Sequence, residues 1–333
     1  MDLVPRIECS LESALAPLTG PDCPAGLARA IRAALFPGGA RIRPKLVLAV
    51  ADACGAGDAP LVDRAAAAIE FLHCASLVQD DLVCFDDAAT RRGQPALHVA
   101  FDERLAILAS DALIVAAFDL VAVPAAADTV FDPVSERAGD DGAARLALVS
   151  LLSRRIGSRG GITAGQAWES ESDIDLEAYH RAKTGALFAA ACEAGALAAG
   201  WTSPRAGDVH GKARGETTGG RDTSGWRRTG ECIGAAYQIA DDLHDVLGCP
   251  DAMGKPVSVD AAHHRPNAAM RLGVDGASAR LGQLIEEIVD TVPDCPHAAR
   301  LVGTIRHEAM RFLPKGLGTR TGAPVKEPAL DAA

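Results

Sequence analysis

Apolar positions recur at three- and four-residue spacing along most of the chain, and alanine fills many of them, as in "DRAAAAIEF" and "GALFAAACEAGALAAG". That period is the mark of helices with one buried face; alanine and leucine favour helix, and runs of β-branched residues are scarce. The pattern predicts helices over 25–36, stopped by "PGG" at 37–39, and 43–54, opened by Pro44 and closed by Gly55. A long helix is expected over 59–82, with others over 97–122, 134–158, 175–200, 226–247, 276–290 and 297–312. The fold class expected is therefore all-α. One stretch breaks the period, "SPRAGDVHGKARGETTGGRDTSG" at 203–225, and reads as a flexible inserted surface loop. The tail at 314–333 reads as disordered, leaving a single all-α domain over 1–313.

Composition narrows the picture without deciding it. With 333 residues, 48% hydrophobic and 4% aromatic, the chain has material for a sizeable core. A net charge of −11, with no basic face or aromatic platform, argues against nucleic acid as a partner. Nine cysteines without a CxxC pair suggest a reduced, cytoplasmic protein. The start, "MDLVPRIECSLESAL", has acids and no apolar core of a signal peptide, and no uninterrupted apolar run of about 18 residues suggests a membrane span.

Charge supplies the chemistry. "QDDLVCFDDAATRRGQP" (79–95) crowds Asp80, Asp81, Asp86 and Asp87 together and follows them with Arg91 and Arg92. Such a segment is either a solvated acidic surface or a metal site. A second cluster, "YQIADDLHD" (237–245), carries Asp241, Asp242 and Asp245 inside an apolar helix. Positions i and i+4 share a helix face at about 100° per residue, so Asp241 and Asp245 stack. Acids at the end of a core helix are costly unless something positive meets them, and two such clusters favour the metal site. Carboxylates without histidine or thiolate partners suit Mg²⁺, which takes its remaining ligands from water and substrate phosphates. Arg41, Arg91, Arg92, Lys183 and Lys255 are the cations available to clamp a diphosphate.

With those residues in view, the sequence resembles the trans-polyprenyl diphosphate synthases. The likeness spans about residues 30 to 273 and rests on six fragments in the family's order: "GGARIRP" (38–44), "EFLHCASLVQDDLVCFDDAATRRGQP" (70–95), "GITAGQ" (161–166), "KTGALF" (183–188), "YQIADDLHD" (237–245) and "GKPVSVD" (254–260). The resemblance implies a helical bundle around a central tunnel, homodimeric. It implies about three Mg²⁺ ions per active site, with Asp80, Asp86 and Asp241 as direct ligands. A regular helix would place Asp87, not Asp86, above Asp80, so the resemblance also implies an irregular helix end; Asp87 and Asp245 are the further metal candidates. Asp81, Lys183 and Asp242 join Asp80, Asp86 and Asp241 among the residues expected to carry catalysis. Arg91, Lys183 and Lys255 match residues that hold the allylic diphosphate, which is dimethylallyl, geranyl or farnesyl diphosphate. Arg41, His73 and Arg92 match the isopentenyl diphosphate pocket, and Thr184 and Gln238 match groups beside the allylic hydrocarbon.

The expected reaction is head-to-tail condensation of the two substrates with release of diphosphate. Three positions depart from the family pattern. Ala40 and Val259 stand where lysines are usual, and Gln79 replaces a common histidine. A lost charge-assisted contact at Ala40 costs about 1.5–3 kcal/mol, so a weaker isopentenyl diphosphate pocket is expected. Ala75 and Ser76, five and four residues before Asp80, match the tunnel floor, and their small size favours geranylgeranyl diphosphate over farnesyl diphosphate. A supply role in carotenoid formation is consistent with that product. The intact "DDLHD" argues against a terpene cyclase, while Ala40 and Val259 keep a non-catalytic partner subunit as the alternative.

Overall fold

A computed structural model of the chain describes residues 3–36, 38–124, 138–202, 222–247 and 268–312. Helix begins earlier than the pattern predicts. Val4–Leu15 forms α1, with Pro5 in the first turn, where its missing N–H breaks no bond, and Ile7, Leu11, Ala14 and Leu15 as its buried stripe. Ala25–Leu35 is α2, Ile42–Ala53 is α3 and Pro60–Asp80 is α4, the last opened by its own proline. A two-residue hairpin follows, β1 (Thr90–Arg91) pairing antiparallel with β2 (Gln94–Pro95).

The helix expected over 97–122 is two helices, α5 (Leu97–Ala100) and α6 (Glu103–Ala122). Between them Asp102 is extended, and its carboxylate accepts the Leu105 N–H at 2.7 Å. This cap satisfies a helix-start amide better than a continuous helix would, so the run breaks there. Ala138–Ile156 is α7 and Ile162–Ala167 is α8, a short helix the pattern does not predict. The stretch expected as one helix over 175–200 is α9 (Leu176–His180), a five-residue π turn (Arg181–Gly185) and α10 (Ala186–Ala198). Ser224–Leu247 is α11, Ala268–Thr291 is α12, interrupted at Gly273 (φ 70°), and Ala298–Phe312 is α13. The all-α expectation holds. The predicted tail and all but 222–225 of the predicted loop lie outside the described residues.

Every residue of α10 from Ala186 to Leu197 is buried, which makes it the centre of the bundle. Its alanines let α3, α4, α7 and α11 approach closely on its different sides. A second apolar cluster joins Ala236, Ala240 and Leu243 of α11 to Ala277, Leu281, Leu284 and Ile288 of α12. On α6, Ala106, Ala109, Leu113 and Ala117 are buried in the core, while Ile107, Leu108 and Val115 are exposed. This helix is long and apolar enough to cross a membrane by length and composition, with a mean hydropathy of 2.1. Asp111 and Asp119 interrupt it, which is why no uninterrupted apolar run is visible in the sequence.

Asp102→Ala removes one N-cap acceptor at the head of the helix that braces α4. We expect it to lower unfolding stability by about 1 kcal/mol without changing the fold. A urea titration followed by circular dichroism checks this, and an unchanged midpoint would show that the cap contributes nothing.

Candidate active site

Carboxylates are unwelcome at a helix C-terminus, where unsatisfied carbonyls already present partial negative charge. Asp80 is the last residue of α4 and Asp81 caps it, so cations must gather there. They come from two directions. Lys183 Nζ lies 3.5 Å from Asp80 Oδ1, and the Gln166 side-chain amide donates a hydrogen bond to the same oxygen. Arg91, held at the hairpin, donates to Asp81, with Nε 3.0 Å from Oδ1. The Asp81 side chain is buried and spent on this pair; burial pushes its pKa up while Arg91 opposes the shift. The two members of the pair therefore differ: Asp80 stays partly open, and Asp81 ties the hairpin to the helix end.

Beyond Asp80 the chain folds back. The Asp86 N–H donates to the Asp80 carbonyl at 2.9 Å, the Asp87 N–H to the Leu82 carbonyl at 3.1 Å, and Asp87 takes φ 47°. Helical stacking thus does not extend to Asp87, and it is the backbone of Asp86 that returns to Asp80. Asp86 is half-buried and Asp87 is exposed. Arg92 and Gly93 both have positive φ (53° and 75°), as a two-residue hairpin turn requires.

The π turn joins this cluster to the second one. Its widened loop puts consecutive residues to work in different directions, a habit of π turns at functional sites. Lys183 reaches Asp80 and also Glu169, 2.5 Å away, while Tyr179 donates its hydroxyl to the same Glu169 oxygen at 2.6 Å. Thr184 donates to Gln238 Oε1 at 2.7 Å. The Gln238 amide then donates to Asp242 at 2.9 Å, and Asp242 accepts the Ala268 N–H, the first amide of α12, at 2.7 Å. Asp242 is buried by these partners, so it serves as a brace for Gln238 and α12 instead of facing a ligand directly. Asp241, one residue before it, is half-buried. A cleft of about 980 Å³ opens on this side, lined in part by Gln238, Asp242 and Arg181. Lys255 and Val259 lie outside the described residues, as does the side chain of Asp245.

The expected isopentenyl diphosphate pocket needs one correction. Arg41 is 2% exposed, and its guanidinium is used up: Nε donates to Glu8 at 2.8 Å, Nη1 to Glu70 at 2.7 Å and Nη2 to the Leu35 carbonyl at 2.9 Å. It faces inward and is not offered to a ligand. Arg43, two residues on, is the arginine of this segment that faces His73. Its Nη1 is 3.3 Å from His73 Nε2, its guanidinium lies 4.5 Å from the Phe188 ring centroid, and its buried Nε has no protein partner. Burial, followed by the charges of Arg43 and Arg92, holds His73 well below its usual value of 6.5, so its ring is neutral. Ala40 is exposed at the rim. Ala75 is buried on the side facing α6, where Ser110 donates to its carbonyl at 3.3 Å, and Ser76 is half-buried.

Three further residues, Gln166, Glu169 and Tyr179, belong to the site although their sequence setting does not single them out. Gln166 lies in the quoted "GITAGQ", so its fragment, though not its contact with Asp80, is visible in the sequence. Its Oε1 is buried without a protein partner beside Asp80. An orphan acceptor next to an all-oxygen donor set fits the water shell of a Mg²⁺ ion. Among the described residues no three acidic, histidine or cysteine side chains converge to a complete metal cage.

An all-α fold that sets two acidic clusters with cations beside them has the chemistry to hold a divalent metal and a diphosphate. Residues 24–302 match the family model described as polyprenyl synthetase, and the chain belongs to that family. A geranylgeranyl diphosphate synthase of Cereibacter sphaeroides is 44% identical over 95% of this chain and 98% of its own length. One from Rhodobacter capsulatus is 43% identical over 94% and 97%, and a farnesyl diphosphate synthase of Haemophilus influenzae is 34% identical over 82% and 84%. Among solved structures, an FPP/GFPP synthase from Zymomonas mobilis aligns with a TM-score of 0.69, covering 92% of this chain and 98% of that one at 27% identity. A geranyltransferase from Helicobacter pylori, complexed with magnesium and isoprenyl diphosphate, shares the fold with a TM-score of 0.67 over 93% and 98% of the two chains at 24% identity.

His73 generates a prediction. Its folded pKa lies below the unfolded value, so between the two the unfolded chain binds more protons. Stability is then full above about pH 6.5 and falls as the pH drops below it. Thermal melts of the wild type should lose more Tm between pH 7 and pH 5 than those of His73→Gln; equal losses would contradict a neutral, cation-flanked His73.

Proposed function

We propose that the protein is a magnesium-dependent geranylgeranyl diphosphate synthase, condensing isopentenyl diphosphate with an allylic diphosphate. The observation that carries the reading is the π turn, which sets Lys183 on the first acidic cluster and Thr184 on the partners of the second. The relatives at 43–44% identity support the C20 product. Asp80, Asp86 and Asp241 are the residues that would hold about three ions, with Asp87 and Asp245 in support. Bound there with the substrate, magnesium would neutralise the allylic diphosphate as a leaving group.

The chain's own groups do the rest. Lys183 exchanges part of its contact with Glu169 for the incoming diphosphate, and Lys255 and Arg91 add charge to the same clamp. Gln166 keeps the Asp80 carboxylate in one orientation. His73, Arg43 and Arg92 hold the diphosphate of the second substrate, so that its double bond lies against C1 of the allylic chain. The allylic C–O bond breaks with its electron pair going to diphosphate, the double bond attacks C1, and the proton lost passes to the departing diphosphate. Apolar walls exclude the water that would quench the cation. The chain grows toward Ala75 and Ser76, and their small side chains leave it room. Because Ala75 is packed against α6, Ser76 is the position at which bulk can be added with least strain.

The protein is also proposed to act in the cytoplasm as a homodimer. None of the eight described cysteines is in a disulfide, as a reducing compartment favours. Ile107, Leu108 and Val115, the last 69% exposed, make an apolar stripe on α6 that a second copy would cover.

Two measurements test these statements. Purified protein with Mg²⁺, isopentenyl diphosphate and farnesyl diphosphate should yield a C20 product, and Ser76→Phe should shorten the product from geranyl diphosphate to C15. No product from farnesyl, geranyl or dimethylallyl diphosphate would contradict an autonomous synthase. Separately, Val115→Lys should shift the mass measured by light scattering from dimer to monomer; a wild type that is monomeric at the same concentration refutes the interface.

A further inference from the structure

Arg41 is an arginine in a conformation that arginines avoid. Its backbone is left-handed (φ 52°, ψ 38°), a strain that something in the surroundings must offset. What offsets it is a buried charge network drawn from three separate elements. Glu8 comes from α1, Glu70 from the middle of α4 and the Leu35 carbonyl from the end of α2, and all converge on one guanidinium. Glu70 is 1% exposed, so this is a buried pair, of a kind whose use is more often to fix one geometry than to add stability. Phe36 covers the guanidinium from one side, at 5.6 Å to the ring centroid. Gly38 covers it from another: a Cβ there would lie 2.2 Å from Arg41 Cζ.

The segment that this network holds is flanked by the residues facing the second substrate. Two residues after Arg41, Arg43 reaches His73. Two residues before it, Gly39 lies flat against Arg92, where a Cβ would come within 2.6 Å of the guanidinium carbon. His73 sits three residues after Glu70 on the same helix. Anchoring Arg41 to Glu70 therefore fixes the register of the 38–43 segment against α4, and with it the spacing of Arg43, His73 and Arg92.

We infer that Glu70 and Glu8, acting through Arg41, are positioning residues for the isopentenyl diphosphate pocket. The inference rests on the reading of that pocket given above and assigns to the network a role in binding one substrate and not the other. In the allylic clamp, Lys183 stands on the π turn and Gln166 on α8, and the Asp80 they meet lies at the far C-terminal end of α4, beyond Glu70. A change at Glu70 should therefore separate the two substrates.

The test is steady-state kinetics with each substrate varied in turn, on wild type, Glu70→Gln, Glu8→Gln and Gly38→Ala. Glu70→Gln should raise the KM for isopentenyl diphosphate about tenfold or more, with the KM for farnesyl diphosphate and kcat within about twofold of wild type. Glu8→Gln, at a carboxylate nearer solvent than Glu70, should show the same signature at smaller size. Gly38→Ala displaces the guanidinium from its other side and should reproduce it with both carboxylates intact. Unchanged KM values with a lowered Tm and kcat would make the network a scaffold only and overturn the inference. If Glu70→Gln does not fold, Gly38→Ala decides on the same criterion. A wild type without turnover would overturn the functional reading itself, and the inference with it; an active wild type with unaltered variants would overturn the inference alone.

Discussion

The structure is organised around a charge that a helix end cannot keep by itself. Asp80 and Asp81 close α4 where the backbone is already negative, and α11 brings Asp241 and Asp242 to within two turns of its own end. Neither arrangement is stable without cations or hydrogen-bond donors nearby. The chain supplies some of them itself, as Arg91, Lys183 and Gln166, and in the proposed reading metal supplies the remainder. A stable fold and a binding site are here the same electrostatic solution.

Each acidic pair divides its labour in the same way. The second member is buried and committed, Asp81 to Arg91 and Asp242 to Gln238 and the first amide of α12. The first member stays partly open, Asp80 with 15% of its side chain exposed and Asp241 half-buried. The buried partner fixes the backbone, so the more open one is presented in a defined place. The π turn then makes a bridge: Lys183 and Thr184, adjacent in sequence, contact the two halves separately. A regular helix over 181–185 would place side chains about 100° apart at the wrong radius to do both.

The helical class, most element positions and both acidic clusters were legible in the sequence, because each is written in a local period or a local concentration of charge. What escaped depends on backbone states and on contacts between distant segments. Arg41 and Arg43 are equally cationic in "GGARIRP"; only the left-handed backbone at Arg41 turns the first inward and leaves the second facing His73. The break at Asp102 was hidden because its neighbours keep the helical period, and α1 because Pro5 and two acids obscured a four-residue stripe. Gln166, Glu169 and Tyr179 join the site only through folding, from segments about 85 to 100 residues beyond Asp80. The irregular end of α4, by contrast, was foreseen from family likeness and not from the residues alone.

The most direct test of this account is the magnesium dependence of turnover in wild type and Lys183→Ala, with isopentenyl and farnesyl diphosphate as substrates. If Lys183 spans the metal-bearing acid and the allylic diphosphate, the variant should fold normally and lose at least about a hundredfold in kcat, and added magnesium should not restore it. A Lys183→Ala protein that turns over at the wild-type rate would contradict the central claim.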